Sequence, residues 1–196
     1  MNKKFTSKEY IKVSLSKTMD LLRDLMNLDD YIFNIQEASK LIADSISNNN
    51  TIYLAGNGGS AAQSQHFAAE LVSRFNFDRN PLPAIALTTD TSVITAVSND
   101  YGYEKVFERQ LAGLAKKGDV FIGFSTSGTS KNILNCFNKA REMKLSSIGI
   151  SGQAGMKESR PDILIPVPSQ NTPLIQEIHC ITSHLICDIV EKAIFN

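Results

Sequence analysis

Short apolar runs alternate with helical patterns along most of this chain. The runs at 52–55, 84–88, 120–124, 147–150 and 163–167 each have the length of a buried strand. Strands that are joined through helices are typical of a parallel sheet covered on both faces. The pattern therefore predicts an α/β fold with a doubly wound, five-stranded parallel sheet flanked by helices. Ligands of such sheets bind at the carboxyl ends of the strands.

Two amphipathic helices, an N-terminal helical hairpin, are predicted before the first strand. Thr6 and Glu9 have the capping-box form, and the stretch Ile11–Leu25 then carries apolar residues at three- and four-residue steps. The pair Asp29-Asp30 can cap a second helix, which is expected to run to a turn at 48–50. The narrow apolar seam of the first helix can face the core or another subunit, and a subunit contact is the preferred interpretation.

We expect these elements to form one domain over residues 1–196. The N-terminal helices would occupy 1–50 and the α/β core 51–196. The last helix, from Leu174 to about Phe195, has a clear apolar face for the core. Gln176, Cys180 and His184 form a separate column on that helix, because steps of four residues rotate the side chain by only about 40°.

A glycine-rich loop follows the first strand. Gly56, Gly58 and Gly59 let the backbone approach a ligand closely, and Ser60 is placed to cap the following helix. The free N–H groups at a helix start favour an anion, although such a loop is also common as a simple tight turn. The loop fits the dinucleotide pattern G-x-G-x-x-A as well. However, the acidic residue expected about 20 positions later is missing, since Asp90 comes too late.

Two side chains on the helix after this loop are candidates for chemistry. His66 and Glu70 are four residues apart, so an imidazole and a carboxylate lie on one helix face. Such a pair can bind a metal ion or transfer protons, but it is more often a solvated or packed pair. Its position directly after a ligand-type loop favours the functional interpretation.

A hydroxyl-rich loop follows the third strand. Its sequence is Ser125-Thr126-Ser127-Gly128-Thr129-Ser130, and a helix is expected from Lys131 to about Met143. Hydroxyl groups, a glycine and a helix N-terminus can together bind phosphate through neutral donors. A capped helix with surplus serines is the alternative. No P-loop lysine follows the glycine, so hydrolysis of a nucleoside triphosphate is not expected.

Charge and composition narrow the choice of partners. Of the 196 residues 42% are hydrophobic, and 20 basic residues balance 20 acidic ones. A zero net charge without a basic run argues against nucleic acid or an anionic membrane as the main partner. The polar start and the lack of an apolar run of about 20 residues lead us to expect a cytoplasmic protein.

The cysteines do not indicate a disulfide framework. Cys136, Cys180 and Cys187 are odd in number and form no C-x-x-C pair, so a thiolate zinc cage is not expected either. They are interpreted as buried apolar side chains or free thiols.

Four separated motifs occur in a recognisable order along the chain. They are residues 56–62, the stretch 65–71, the loop 125–128 and the stretch 175–179. Together they resemble the phosphoheptose isomerases, a family with the sugar-isomerase (SIS) fold, and the resemblance covers nearly the whole chain. Members interconvert D-sedoheptulose 7-phosphate and D-glycero-D-manno-heptose 7-phosphate. That reaction is the first step of activated heptose synthesis for surface polysaccharide.

The resemblance implies a homotetramer with active sites at subunit interfaces and one zinc ion per subunit. The implied zinc ligands are His66, Glu70, Gln176 and His184, and Glu70 and His184 are also the implied acid–base pair. Glu70 and Gln176 are further expected to contact substrate. The other implied substrate-binding residues are Asn57, Gly58, Gly59, Ser60, Arg74, Asn99, Asp100, Ser125, Thr126, Ser127 and Ser130.

This set of residue types suits a ketose–aldose isomerase. Moving a proton between adjacent carbons through an enediolate needs one group that abstracts it and another that serves the oxygens. Zinc can polarise the carbonyl and stabilise the developing negative charge. A base bound to zinc is weaker, so we expect substrate binding to loosen Glu70 or His184 from the metal.

Three positions depart from the usual family pattern. Leu174 replaces a common arginine, Gln63 a common aspartate and Cys180 a usual aliphatic residue. Cys180 is interpreted as a small buried side chain, with an adventitious metal contact as the alternative. These departures affect the expected substrate contacts more than the reaction type.

Two other functions remain open. Some non-catalytic SIS proteins bind a bacterial replication initiator, but they lack the equivalents of Glu70 and His184, which are present here. A phosphosugar-sensing domain is usually fused to a DNA-binding module, for which this chain leaves little length.

Overall fold

The computed structural model describes residues 6–195. The strands are β1 (Ile52–Ala55), β2 (Ala84–Ala86), β3 (Val120–Ser125), β4 (Ser146–Ser151) and β5 (Ile163–Pro166). All four neighbouring pairs are parallel, and the strand order is β2-β1-β3-β4-β5. The predicted five-stranded doubly wound sheet is therefore confirmed, and each strand ends within two residues of its predicted bounds.

Seven α-helices and one short 3₁₀ turn, Tyr103–Lys105, accompany the sheet within the described residues. The helices are α1 (Ser7–Met26), α2 (Asp29–Ser47), α3 (Gly59–Val72), α4 (Thr91–Tyr101), α5 (Val106–Leu114), α6 (Lys131–Met143) and α7 (Thr172–Phe195). Over residues 6–195, none of these helices combines the length and apolar character that crossing a bilayer requires.

Alternate residues of each strand bury into two different apolar layers. Ile52 and Leu54 of β1 pack in the layer that contains α2, α3 and α7. Tyr53 and Ala55 of the same strand pack in the layer that contains α5 and α6. Because side chains of a strand alternate between the two faces of the sheet, both faces are covered and the strands read as continuous apolar runs.

The predicted cap of the first core helix is wrong. Ser60 lies inside the first turn of α3 and is buried, while Gly58 occupies the N-cap position with φ 56° and ψ −121°. Glycine adopts this backbone conformation readily, whereas a residue with a Cβ does not. The turn after β1 therefore ends two residues earlier than a serine cap would require.

The two N-terminal helices also begin differently from the capping predictions. Thr6 is the N-cap residue of α1, but its side chain makes no capping hydrogen bond and contacts Glu9 instead, at 3.4 Å. Leu28 precedes α2, so Asp29 and Asp30 lie in its first turn. Carboxylates stabilise that position through the positive end of the helix dipole.

Only the C-terminal half of α1 packs on the rest of the chain. Leu21 and Leu25 are buried, whereas Ile11 and Leu15 of the same seam are 56% and 61% exposed. Thr18, between these two halves, donates a hydrogen bond of 3.0 Å to Glu177 of α7. The first half of the seam therefore presents apolar surface that no residue between 6 and 195 covers.

A buried ion pair fastens the end of α3 to α7. The Arg79 Nε and Glu191 Oε1 atoms are 2.8 Å apart, and both side chains are almost completely buried. The Glu191 carboxylate also accepts hydrogen bonds from the backbone N–H groups of Phe75 and Asn76. Arg79 in turn donates to the carbonyl oxygens of Glu70 and Leu71, which satisfies acceptors that a helix C-terminus otherwise leaves unpaired.

We expect Glu191→Gln to lower the free energy of unfolding by about 3–5 kcal/mol at neutral pH, since it leaves the Arg79 charge buried without a partner. Although burial alone would raise the pKa of Glu191, hydrogen bonds from Asn76, Phe75 and Arg79 lower it overall. The carboxylate thus stabilises the fold fully above its unfolded pKa of about 4.3, and that contribution is lost as pH falls through the lower native pKa. Urea unfolding at neutral and stepwise acidic pH measures both effects.

The exposed Lys192–Asp188 pair on the same helix provides the matched control. Lys192→Met should change the free energy of unfolding by less than about 1 kcal/mol. Equal decreases in the free energy of unfolding of the two variants would contradict the stabilising role of the Arg79–Glu191 pair. So would a difference in that free energy between wild type and Glu191→Gln that stays constant as the pH is lowered.

Candidate active site

Side chains from α3 and α7 meet in one cluster. The Nε2 atoms of His66 and His184 are 2.8 Å apart, so one imidazole donates its N–H to the other. Glu70 Oε1 lies 3.5 Å from His66 Nε2, one helical turn further along α3. The predicted shared face of His66 and Glu70 is confirmed, and the structure adds His184 from a helix more than a hundred residues later in the chain.

Cys180 belongs to the same cluster. Its Sγ atom is 4.0 Å from His184 Nε2, and the candidate ligand atoms of His66, Cys180 and His184 all lie within 4.8 Å of one another. The thiol is only partly buried. The interpretation of Cys180 as a small buried side chain is therefore wrong. The available signal was its four-residue spacing from His184, which places both on one helix face.

Gln176 lies two turns before His184 on α7, against the glycine-rich loop. A Cβ atom added to Gly59 would lie 2.6 Å from Gln176 Nε2, so only a glycine leaves room for this amide in its present position. The contact places the Gln176 amide against the glycine-rich loop. Its predicted role as a metal ligand stays a prediction.

A network of amide hydrogen bonds ties the two loops together. Asn57 Nδ2 donates to Asn132 Oδ1 at 2.9 Å, and Asn132 Nδ2 donates back to Asn57 Oδ1 at 2.8 Å. The Tyr103 hydroxyl also donates to Asn57 Oδ1, at 2.9 Å. Asn57 thus fixes the loop after β1 to the start of α6 and keeps one amide N–H for a ligand. Sequence reasoning did not identify Asn132 or Tyr103, because no local pattern shows that they meet Asn57.

The hydroxyl-rich loop closes on itself at the N-terminus of α6. Ser125 Oγ accepts a hydrogen bond from the Gly128 N–H and donates one to Ser130 Oγ, both at 3.1 Å. Gly128 has φ 71°, and a Cβ atom there would lie 1.6 Å from the carbonyl oxygen of Gly155. Only glycine can adopt this positive φ readily and also fit against the Gly155 carbonyl oxygen. Ser127 remains exposed, and its hydroxyl accepts from Thr129.

Both loops leave the sheet at the carboxyl ends of neighbouring strands, and the space between them is the candidate ligand crevice. Strand order reverses between β1 and β3, which are hydrogen-bonded neighbours, and such a switch point is where doubly wound sheets bind ligands. The helices α3 and α6 begin directly after these loops. Two helix N-termini at one crevice, together with hydroxyl donors, favour a phosphate or another anion.

Three predicted site residues are not joined to this crevice by any contact recorded within residues 6–195. Asn99 and Asp100 are exposed in the last turn of α4, where the Asn99 amide donates to Asp100 at 2.8 Å. Arg74 is exposed beyond the end of α3 at Val72, so it is not on the helix face that carries His66 and Glu70. Their substrate contacts stay predictions.

His179, the third histidine, has a structural environment. Its side chain is buried on α7, and its Nε2 atom lies 3.2 Å from the carbonyl oxygen of Ser151 at the end of β4. Burial lowers the pKa of His179 to about 4, although the bond to Ser151 opposes that shift. The ring is therefore neutral near neutral pH and helps to seat α7 on the sheet.

Comparison with known proteins defines the class. The SIS domain family model matches residues 20–152. The chain is 47% identical to the phosphoheptose isomerase of Sulfurimonas denitrificans over 189 residues, which are 96% of this chain and 97% of that protein. A solved phosphoheptose isomerase from Francisella tularensis superposes with a TM-score of 0.91 at 33% identity, over 96% of this chain and all of the other. One from Neisseria gonorrhoeae gives 0.88 at 34% identity, over 95% of this chain and all of the other.

The chain is thus an SIS-domain protein. Within that class it belongs to the phosphoheptose isomerase family, as the four motifs predicted. The sequence comparison and the structural superposition agree on this family and this fold.

We expect Gly128→Ala to disrupt the anion-binding loop. The positive φ and the clash with Gly155 should destabilise the protein by at least about 1–2 kcal/mol and reduce binding of inorganic phosphate or a sugar phosphate by about tenfold or more. Thermal unfolding and calorimetric titration measure the two effects. Gly113 of α5 is the control, because a Cβ there meets nothing within 4 Å. Gly113→Ala should leave anion binding unchanged, and unimpaired binding by Gly128→Ala would contradict the assignment.

Proposed function

We propose that this protein is a ketose–aldose isomerase that converts D-sedoheptulose 7-phosphate to D-glycero-D-manno-heptose 7-phosphate. The observation that carries the proposal is the cluster of His66, Glu70 and His184 between α3 and α7. The named activity of the relatives supports the same reaction.

The two loops and the histidine cluster are assigned to different parts of the sugar phosphate. His66 is seven residues beyond the start of α3, which places it about 10 Å along the helix axis from the glycine-rich loop. In this arrangement the hydroxyls of Ser125, Thr126, Ser127 and Ser130 bind the phosphate at one end, and the reacting carbons lie near the cluster at the other.

The remaining predicted contacts surround the sugar between these two ends. In the proposed complex, Asn57, Gly58, Gly59, Ser60 and the amide of Gln176 contact the sugar between these ends, and the Gln176 amide lies against Gly59. Gly58 is exposed, and a Cβ there would meet no protein atom within 4 Å, so the space above it is open for a ligand. Arg74, Asn99 and Asp100 are kept as proposed contacts at the rim.

Glu70 and His184 are the proposed acid–base pair. Isomerisation through an enediolate needs a base to remove the proton from one carbon and an acid to serve the neighbouring oxygens. The Glu70 carboxylate and the His184 imidazole come from facing helices, so a sugar placed between them can exchange protons with both.

The donor set of the cluster fits a zinc ion. Two imidazoles and a carboxylate are ligands that zinc binds in catalytic sites, and a neighbouring thiol adds a further suitable donor. His66, Glu70, His184 and, by family resemblance, Gln176 would hold the ion. When bound, zinc would polarise the carbonyl of the substrate and stabilise the negative charge that develops on its oxygen.

The proposal includes a pathway position and a cellular location. The product would feed the synthesis of activated heptose for surface polysaccharide, as the family resemblance implies. Its substrate is a phosphate ester whose charge prevents free passage across a bilayer, so we place the enzyme in the cytoplasm.

We also keep the single SIS domain over 1–196 as a proposal, of which residues 1–5 and 196 lie outside the described structure. The presence of Glu70 and His184 in one cluster weighs against the non-catalytic, initiator-binding alternative.

The function is tested by incubating the zinc-supplied protein with sedoheptulose 7-phosphate in heavy water and following the sugar by NMR. We expect an aldoheptose 7-phosphate that carries deuterium at C2, because an enediolate exchanges its proton through a solvent-accessible base. Product without deuterium would support the isomerase function. It would show, however, that the proton is transferred without exchange with the solvent. No product would reject the function.

The same assay tests the acid–base pair. Glu70→Gln and His184→Asn should each reduce turnover by about a hundredfold or more, as expected when a general acid or base is removed. Gln65→Ala is the matched control, since Gln65 is exposed on α3 next to His66 and its amide faces Thr88. Turnover retained by either acid–base variant would remove that residue from the mechanism.

We propose that the exposed first half of α1 forms a contact between subunits of a homotetramer. Leu15→Asp on the apolar seam should shift the protein to smaller species in analytical ultracentrifugation, because it places a charge in an interface that buries Ile11 and Leu15. Lys17→Asp, on the opposite side of the same helix, should leave the mass unchanged. An unchanged mass in Leu15→Asp would contradict the proposed contact.

A further inference from the structure

The Cys180 thiol is the part of the histidine cluster that the family resemblance does not explain. Family members usually carry an aliphatic residue at this position, and such a side chain offers no electron pair to a metal. We propose that Cys180 is a thiolate ligand of the metal site, which makes the site selective for soft divalent cations such as cadmium. The inference rests on the metal site of the proposed function.

The distances suit coordination of one ion. Cys180 Sγ is 4.0 Å from His184 Nε2. Two ligands of a tetrahedral zinc ion, one nitrogen and one sulfur, lie about 3.6 Å apart when calculated from the usual bond lengths. His66 completes a group of three donor atoms within 4.8 Å of one another. Small side-chain rotations would therefore bring all three to one ion.

The position on the helix supports the same conclusion. Cys180 and His184 are one turn apart on α7, so their side chains leave the helix on the same side and face His66 of α3. The other two cysteines have a different environment. Cys136 and Cys187 are buried, and burial raises the pKa of both thiols, which keeps them protonated. Cys180 is the partly exposed cysteine of the three.

A thiolate ligand would also relieve a conflict in the proposed mechanism. Glu70 and His184 are assigned to proton transfer, and a carboxylate or imidazole that is bound to a metal is a weaker base. Cys180 has no proton-transfer role in that scheme. It could therefore stay bound to the ion while Glu70 or His184 is released for proton transfer. Because sulfur is a soft donor, its contribution to affinity should be larger for cadmium than for zinc.

The direct test uses cobalt as an optical probe in the absence of substrate. The chelator-treated protein is titrated with Co²⁺, and we expect a thiolate-to-cobalt charge-transfer band in the near ultraviolet. Cys180→Ile and Cys180→Ser should both lack the band, whereas Cys187→Ala, which removes a buried thiol near Glu70, should retain it. A wild-type protein without the band, or a band that persists in Cys180→Ile, would overturn the proposal.

Affinity and thiol protection give independent readouts. Competition with a chromophoric chelator should show that Cys180→Ile weakens cadmium binding by about tenfold or more, since even outer-shell changes alter metal affinity by that factor. The same variant should lose less affinity for zinc. In the wild-type protein, cadmium should protect Cys180 from alkylation by iodoacetamide, as read by peptide mass spectrometry. This measurement needs no variant, and unprotected Cys180 in the cadmium-loaded protein would reject the ligand role.

The test for a thiolate ligand can be distinguished from the isomerase assay by its outcome. A charge-transfer band in a protein without isomerase activity would retain the thiolate ligand and reject the proposed reaction. Isomerase turnover by a protein whose cobalt form lacks the band would support the proposed reaction and reject the thiolate ligand.

Discussion

The candidate site depends on how α3 is held against α7. His66 and Glu70 lie on the first helix, and Cys180 and His184 lie on the second, so the separation of the two helices sets every distance in the cluster. The buried Arg79–Glu191 pair fixes that separation at one end. The same guanidinium holds the carbonyl of Glu70 itself, which connects the stability of the helix end to the position of a candidate catalytic residue. A buried pair of this kind contributes chiefly through geometry, because desolvation offsets much of its attraction.

Sheet topology determines the other half of the site. The strand order places β2 on one side of β1 and β3 on the other, so the chain leaves β1 and β3 in different directions at neighbouring carboxyl ends. The loops from these strands are about 70 residues apart in sequence and yet share the Asn57–Asn132 hydrogen bonds. The glycines that the loops contain are needed where the backbone turns with positive φ, at Gly58 and Gly128. The crevice is therefore a consequence of strand order, and the local residues adapt it to an anion.

Features with a short period or a fixed spacing could be predicted from the sequence. The strand runs, the helix Lys131–Met143 and the shared face of His66 and Glu70 all depend on residues close together in the chain. Errors arose where a nearby backbone conformation or a distant partner decides the outcome. Ser60 could not be recognised as a buried first-turn residue because the conformation of Gly58 sets the helix start. The meeting of Cys180 with His66 depends on helix packing, which no local pattern encodes.

In the proposed reaction, the way in which the loop 125–130 binds the phosphate affects the chemistry at the histidine cluster. The loop 125–130 contains only neutral side chains, so its attraction for an anion comes from hydroxyls, backbone N–H groups and the start of α6. A lysine or arginine close to Glu70 would favour its ionised form and make it a weaker base. Arg79, seven residues beyond the end of α3, donates to the Glu70 backbone and pairs its charge with Glu191. In the proposed reaction the loop 125–130 therefore binds the phosphate without a cationic side chain, and the Arg79 charge is already paired with Glu191.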